Sequence, residues 1–331
     1  MNPIDWFDTA QQALFEAVVQ PAMFALGLAG ILEQGYRATG WLLVGLAQIV
    51  VMLTLMRALE RSRPAEPVTD RAAVRVDIAY TLLHRLGLFR LALFFTLDPL
   101  WDMAIGALRV AGWAPTWSLD GLVPGVTDIA LVTFVLYLVL FDFVDYALHR
   151  GQHRFEWWWQ LHAVHHSQRQ MTMWSDNRNH LLDDVLRDSV FVIVALLVGI
   201  APAQFVAVVA LTQLVETFSH ANVRLSFGRI GERLLVSPRF HRVHHGIGIG
   251  HESGAPGSLG GHNFAVLFPL WDALFGTARW HDAPGPTGIR DQLPEYGGRD
   301  YGQGFWAQQW LGLVRLVRLA RPAGLAKARQ R

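Results

Sequence analysis

The apolar residues of this chain fall in long windows that approach the length of about 20 residues needed by a membrane-spanning helix. Trp41 to Leu55 is such a window, closed by Arg57, Arg61 and Arg63, with Pro64 and Pro67 ending the helix. Ala17 to Leu32 is interrupted by Gln20 and Pro21, and predicts a span, a re-entrant segment or an interfacial helix. Asp77 to Leu97 predicts a further span in which His84, Arg85 and Arg90 must face protein or snorkel. Val126 to Phe141 is rich in β-branched residues, yet its length and its neighbours favour helix over strand. Val190 to Ile200 and Phe205 to Leu214 read as two arms of a hairpin turned at residues 201–204.

The pattern therefore predicts an all-α, polytopic membrane bundle of about four transmembrane helices, with one more if residues 14–33 cross. Composition agrees. The 331 residues are 52% hydrophobic and 17% charged, with thirteen Trp and nineteen Phe, where a soluble domain carries about 25% charged residues. The absence of cysteine excludes a disulfide scaffold, a thiolate zinc site and an iron–sulfur protein. A net charge of +1 without a long basic run gives no reason to expect nucleic-acid binding.

Lys327 is the single lysine beside 27 arginines, which suggests a GC-rich bacterial genome and hence the bacterial inner membrane. Met1 to Asp8 lacks the positive flank of a cleavable signal, so a mature helix must direct insertion. The stretch from Arg57 to Arg75 holds five arginines, whereas Asp98 to Gly125 holds only Arg109. The positive-inside rule then makes the first stretch cytoplasmic, and with it every histidine cluster. Three regions follow: a membrane region at 1–125, a histidine-rich catalytic region at 126–281, and a polar loop with a C-terminal helix at 282–331. That helix, Phe305 to Arg321, sets Trp306, Trp310, Leu313, Val314 and Val317 against Arg315, Arg318 and Arg321, and predicts an interfacial position.

The histidines carry the chemistry. His149 and His153 have HxxxH spacing; His162, His165 and His166 form HxxHH, and His241, His244 and His245 repeat it. Residues three or four apart share a helix face, so each cluster can aim two or three imidazoles at one point. Eight such rings exceed the three or four protein ligands of a tetrahedral ion, and two metals are the simplest solution. His220 is a candidate ninth ligand and His180 a tenth, with an interfacial partner such as Asp183 or Asp184 the other reading of His180. Imidazole suits zinc, copper, iron and nickel alike. Ligating rings usually give their second N–H to a carboxylate or carbonyl, and Asp145 and Asp142, one and two turns before His149, are candidates to orient it. His84, His251 and His281 read as ordinary hydrogen-bonded histidines. The Trp157-Trp158-Trp159 run reads as an interfacial anchor, or alternatively as the lining of a lipid's way in.

The stretch from Asp142 to Thr277 resembles the fatty acid hydroxylase and sterol desaturase superfamily. Asp142-Phe143-Val144-Asp145-Tyr146-Ala147-Leu148-His149-Arg150 with His153 is similar to its first histidine box, and Leu161-His162-Ala163-Val164-His165-His166 to its second. Phe218-Ser219-His220-Ala221-Asn222 and Ser237-Pro238-Arg239-Phe240-His241-Arg242-Val243-His244-His245 resemble the later region, and Trp271-Asp272-Ala273-Leu274-Phe275-Gly276-Thr277 the closing signature. The resemblance implies a four-helix stem under a cytosolic cap, two iron ions (Fe2+) held by histidine, O2 as co-substrate, and hydroxylation or desaturation of a lipid C–H bond. The lipid would be a fatty-acyl, sterol-like, alkylglycerol or amino-lipid substrate. Asp142, Asp145, Asn222, Asn263 and Asp272 become candidates to support the metal centre. No nucleotide fingerprint or heme-attachment motif is present, so electrons are expected from a separate reductase, ferredoxin or cytochrome.

Two other classes fit the sequence less well. A histidine-rich metal transporter wants ligands at the bilayer midplane, whereas these clusters lie beyond the apolar windows. A zinc-dependent hydrolase wants a general-base carboxylate in a motif such as HExxH, which is absent from the sequence.

Overall fold

A computed structural model describes residues 3–114, 117–248, 253–255 and 258–320. Its helices are α1 (Pro3–Leu14), α2 (Gln20–Ala25), α3 (Ala29–Ser62), α4 (Arg71–Arg85), α5 (Leu88–Thr96), α6 (Asp98–Val110) and α7 (Ala130–Arg154). There follow α8 (Glu156–His166), α9 (Leu181–Val198), α10 (Pro202–His220), α11 (Gly228–Leu234), α12 (Pro238–His244), α13 (Leu270–Leu274) and α14 (Phe305–Ala320). Among the described residues the only strands form one short antiparallel ribbon, Ser253–Ala255 with Ser258–Leu259, and the expected all-α class holds. His251 and Arg321 lie outside the described residues.

Two helices are long and apolar enough to cross a bilayer, α3 with 34 residues and α7 with 25. At a rise of about 1.5 Å per residue both exceed a hydrocarbon core of about 30 Å. The window at Asp77 to Leu97 is a bent pair, α4 and α5, meeting at 47° and counting as a third span if the pair is one crossing. The bend sits at Gly87, whose φ of 74° is in the left-handed region open to glycine. The hairpin arms are α9 and α10, turned at Gly199 (φ 67°) and restarted at Pro202. Asp183, Asp184, Arg187 and Asp188 occupy the first half of α9, which confines its apolar stretch to the second half. The window at Ala17 to Leu32 is no continuous helix. It breaks at Gly27 and folds back on α3, where the Phe15 ring meets Tyr36 edge-on at 5.3 Å and the Gln11 amide donates to the Tyr36 carbonyl at 2.8 Å.

Outward-facing Leu46, Val50, Leu53 and Leu55 on α3, Leu131 and Val135 on α7, and Phe95, Leu100 and Met103 on α5 and α6 leave an apolar belt no soluble protein of this size would expose. The chain is a membrane protein. Inside the belt, Tyr137 and Phe141 of α7 pack with Phe191 of α9, Val208 of α10 and Leu267. The arginine-rich end of α3 is tied to the histidine region: Arg224 N–H donates to the Arg63 carbonyl at 2.7 Å, and Ala65 and Glu66 N–H donate to the Asn222 side chain at 3.2 and 3.0 Å. Both therefore lie at one end of the bundle.

Helix α14 docks on the same end. The Gln309 amide donates to Tyr80 Oη at 2.9 Å and its side-chain oxygen accepts from Leu181 N–H at 2.8 Å, while Trp306, Trp310 and Val317 remain on the outer face. That exposed ridge fits the interfacial position expected of this helix.

Helices α3 and α4 approach most closely at Gly45, where a Cβ would overlap the Arg85 carbonyl oxygen. Such small-residue contacts let membrane helices pack backbone to backbone. Gly45→Ala is expected to push α4 outward and destabilise the protein by about 1–3 kcal/mol, read as a lower melting temperature in detergent.

Candidate metal centre

Each histidine reaches the centre because a local feature ends or turns its helix there. The last turns of α7 present His149 and His153 on one face; the chain then turns at Phe155, whose φ of −98° and ψ of 120° end the helix and start α8, which brings His162, His165 and His166 back. His220 is the final residue of α10. The short α12 starts at Pro238 and is capped by Ser237, whose hydroxyl accepts from Phe240 N–H at 3.1 Å; it carries His241 and His244, with His245 just past its end.

These nine rings converge. One candidate ligand nitrogen from each of His149, His153, His162 and His166 lies within 4.8 Å of the other three, and the same holds for His165, His220, His241 and His245; His166, His244 and His245 form a third, overlapping group. All nine are buried. Nε2 atoms face each other at 3.0 Å between His153 and His166, 3.1 Å between His220 and His165, 2.9 Å between His241 and His220, and 3.1 Å between His244 and His166.

Outer partners fix which nitrogen points inward. Nδ1 of His149 donates to the Phe264 carbonyl at 2.8 Å, Nδ1 of His244 to the His262 carbonyl at 2.8 Å, and Nδ1 of His220 to the Glu216 carbonyl at 2.8 Å. Nδ1 of His162 donates to Asp183 at 3.2 Å. A neutral ring whose Nδ1 carries the proton turns a bare lone pair at Nε2 toward the others. Two such lone pairs, on His149 and His162, are buried with no hydrogen-bond partner. Lone pairs face to face in a dry space repel unless something positive lies between them, so the donor set fits metal ions.

Protonation is opposed as well. Burial first, and the adjacent imidazoles second, hold His165, His166, His241 and His245 well below the usual histidine range. The rings thus stay in the form that binds metal.

His180 does not join them. Its Nδ1 accepts from Leu182 N–H at 3.1 Å, capping α9, and its Nε2 donates to the Gln309 carbonyl at 2.9 Å, so both ring nitrogens are used where α14 docks. Neither the Asp183 nor the Asp184 carboxylate partners its ring: the Asp183 carboxylate backs His162, and that of Asp184 lies 3.3 Å from the His84 ring.

The five supporting candidates act at one remove. Asp145 does not orient His149; Arg187 forks onto it with contacts of 2.8 and 2.9 Å. Nor does Asp142, which accepts from Leu267 and Phe268 N–H and from the Trp271 indole at 2.8–3.1 Å. Asp272 accepts from Phe264 and Ala265 N–H at 2.9 and 2.8 Å. Asn263 takes a φ of 57° and accepts from Arg279 N–H at 2.7 Å. Together Asp142, Asp272 and Asn263 hold the segment 262–268 whose carbonyls receive the protons of His149 and His244. Asn222 binds the loop after α3, as described above.

Asp183 is the carboxylate that local spacing could not reveal, because 21 residues separate it from His162. It also accepts from the Trp158 indole at 2.6 Å and the Gln152 amide at 2.9 Å. The tryptophan run divides its labour: Trp157 is exposed and stacks on Trp158, whereas Trp159 is buried with its ring centroid 5.1 Å from His153 and 5.3 Å from His166. Trp159 is a wall of the cage rather than an exposed anchor.

The nine buried histidines thus form one cage at the end of the membrane-spanning helices. Residues 134–277 match the family model "Fatty acid hydroxylase". The chain is 25% identical over 284 residues to ornithine lipid hydroxylase OlsE of Rhizobium tropici, covering 83% of this chain and 78% of that one. It is 27% identical over 159 residues to an alkylglycerol monooxygenase of Caenorhabditis elegans and 25% identical over 176 residues to one of Xenopus tropicalis. Those alignments cover 47% and 53% of this chain but only 29% and 37% of the two monooxygenases. No solved structure matches significantly.

Two outcomes follow. Asp183→Ala is expected to weaken metal binding by about 10–100-fold, measured by competition with a chelator. The four depressed rings bind fewer protons in the folded chain than in the unfolded one, where each titrates near pH 6.5. Their stability contribution is thus present above about pH 6.5 and is lost as the pH falls below it. Melting temperatures of the chelator-stripped protein should fall steeply between about pH 7 and about pH 5.5.

Proposed function

We propose that the chain is a membrane-bound di-iron oxygenase that inserts one oxygen atom of O2 into a C–H bond of a lipid, in the bacterial inner membrane with its metal centre on the cytoplasmic side. The observation that carries this reading is the division of the cage into two four-histidine groups, His149, His153, His162 and His166, and His165, His220, His241 and His245, with His244 beside them. Each group would hold one iron. When bound, an iron pair supplies reductive activation of dioxygen and the oxidising power to break an aliphatic C–H bond. The balance is one lipid, one O2, two electrons and two protons to one hydroxylated lipid and one water. Both electrons are assigned to an external reductase, ferredoxin or cytochrome.

The protein's own part is ligand orientation and exclusion of water. Backbone carbonyls and Asp183 fix the tautomers of His149, His162, His220 and His244, and Trp159 and Phe264 close the cage with ring centroids 5.1 and 5.2 Å from His153. The catalytic region at 126–281 stands between the membrane region at 1–125 and the C-terminal segment at 282–331. The names of the relatives support a lipid substrate. Transport is disfavoured because His149 and His153 sit in the last turns of α7, and a zinc hydrolase because no carboxylate belongs to any of the three groups.

Purified protein is expected to hold about two irons per chain, as the ligand count demands, and His149→Ala or His245→Ala to lose metal while His180→Ala retains it. Comparing lipids of a strain with and without the gene should show a product heavier by one oxygen. Active protein that contained only zinc and worked without O2 would refute the reading.

A further inference from the structure

A cavity of about 110 Å³ lies beside the cage, among α3, α4, α5, α9 and α10. Trp41, Val44, Phe89, Phe205 and Val209 give it an apolar wall. Its inner end backs onto the cage, where Asp176 stands 3.7 Å from His220 Nδ1 and the Glu216 carbonyl accepts from that same nitrogen. The volume has room for a few waters. It falls short of the roughly 300–1,000 Å³ of a site that encloses an organic ligand, so an acyl chain enters only when a wall moves.

Helix α5, which brings Phe89 and Arg90 to the cavity, is the wall with least to hold it. Its backbone packs mainly on its neighbours in sequence, α4 and α6, and Leu88, Leu91 and Phe95 face outward. It joins α4 at the 47° bend, where Gly87 has a φ of 74° and no atom lies within 4 Å of the place a Cβ would take. Nothing is packed against the hinge. Among the described residues, every polar contact from α5 to another helix belongs to Arg90. Its guanidinium donates to Asp188 of α9 at 3.3 Å, lies 3.7 Å from Asp98 of α6, and covers the Trp41 ring of α3 at 5.5 Å from the centroid.

That arrangement is a poor way to fix a helix permanently. Ionised groups at the level of an apolar belt are costly and mark function, and well-packed apolar side chains would hold α5 at least as firmly as a half-buried ion triad. An ion triad does have one property that apolar packing lacks: it gives a single directional catch that one movement releases. We propose that α5 is a hinged gate between the bilayer and this cavity, turning at Gly87 and latched by Arg90 against Asp188, Asp98 and Trp41, and that its opening admits a lipid's acyl chain to the side of the cage. The identity of what passes rests on the lipid-hydroxylase reading; the hinge and latch do not.

The chain has no cysteine, so an introduced thiol reports on its own site. Val209→Cys places one on the cavity wall, and Val236→Cys one in the separate buried cluster with Phe240 and Phe264. The test uses full-length, metal-loaded protein in nanodiscs, with labelling by N-ethylmaleimide followed by intact mass. Adding Arg90→Gln or Asp188→Asn is expected to speed labelling of Val209→Cys at least about tenfold, the size of one charge-assisted hydrogen bond. Arg90→Lys, which keeps the ion pair, should hold the rate low, and Val236→Cys should not respond. A Val209→Cys rate indifferent to both substitutions overturns the proposal, and so does an equal rise at Val236→Cys, the mark of general loosening.

A second measurement closes the gate instead of opening it. Trp41→Cys with Arg90→Cys, bridged by a bis-maleimide, is compared with the same pair capped singly by N-ethylmaleimide, in nanodiscs made from the lipid extract of a strain lacking the gene. With a chemical reductant, the bridged form should lose at least about tenfold in oxygen insertion at equal metal content. Insertion unchanged by the bridge keeps the hydroxylase and removes the gate; the labelling response without oxygen insertion by any form keeps the gate and removes the hydroxylase.

Discussion

Nine imidazoles share one buried space, where a protonated ring would lose its hydration and repel its neighbours. Neutrality alone is insufficient, since each ring has one nitrogen with a proton and one without, and the two must be sorted. At His149, His162, His220 and His244 the outer hydrogen bonds do the sorting. Phe264, His262 and Glu216 offer backbone carbonyls and Asp183 a carboxylate, each on the side of the ring that faces away from the centre. Removing an acceptor would let the proton migrate inward and cancel a ligand without moving an atom of the ring's position.

Much of the remaining polar structure keeps those acceptors in place. The segment 262–268 has no regular hydrogen bonding of its own, and Asp142, Asp272 and the left-handed Asn263 supply what a helix or sheet would otherwise provide. Arg178 performs a similar task behind α8, donating to the Val164 carbonyl, Ser167 and Asp77, each at 3.1 Å. These charges are buried at a cost that only dense hydrogen bonding offsets. They are spent on rigidity.

The sequence made the histidine boxes readable because spacings of three and four are properties of a single helix, and His149 with His153, or His241 with His244, needs no tertiary knowledge. The apolar windows likewise marked α3 and α7. What escaped was set by contacts between distant segments. Asp145 and Asp142 were placed beside His149 by helical spacing, yet the helix presents them to Arg187 and to the Leu267 backbone. His180 shares the residue type of the ligands and lies among them in sequence, but the docking of α14 claims both its nitrogens. The early window around Gln20 and Pro21 left a span, a re-entrant segment and an interfacial helix open, and the break at Gly27 shows that it is no continuous helix. Asp183 had no local signature at all.

The attachment of the segment after α3 to Asn222 and Arg224 has a bearing on how the protein matures. The converging rings come from positions 149 to 245, and their acceptors extend to Phe264, so the cage can close only once most of the chain has been made. An ion held by all of these rings would therefore have to enter after residue 245 has been made, at a site whose first anchor, the end of α3, is laid down far earlier in the chain.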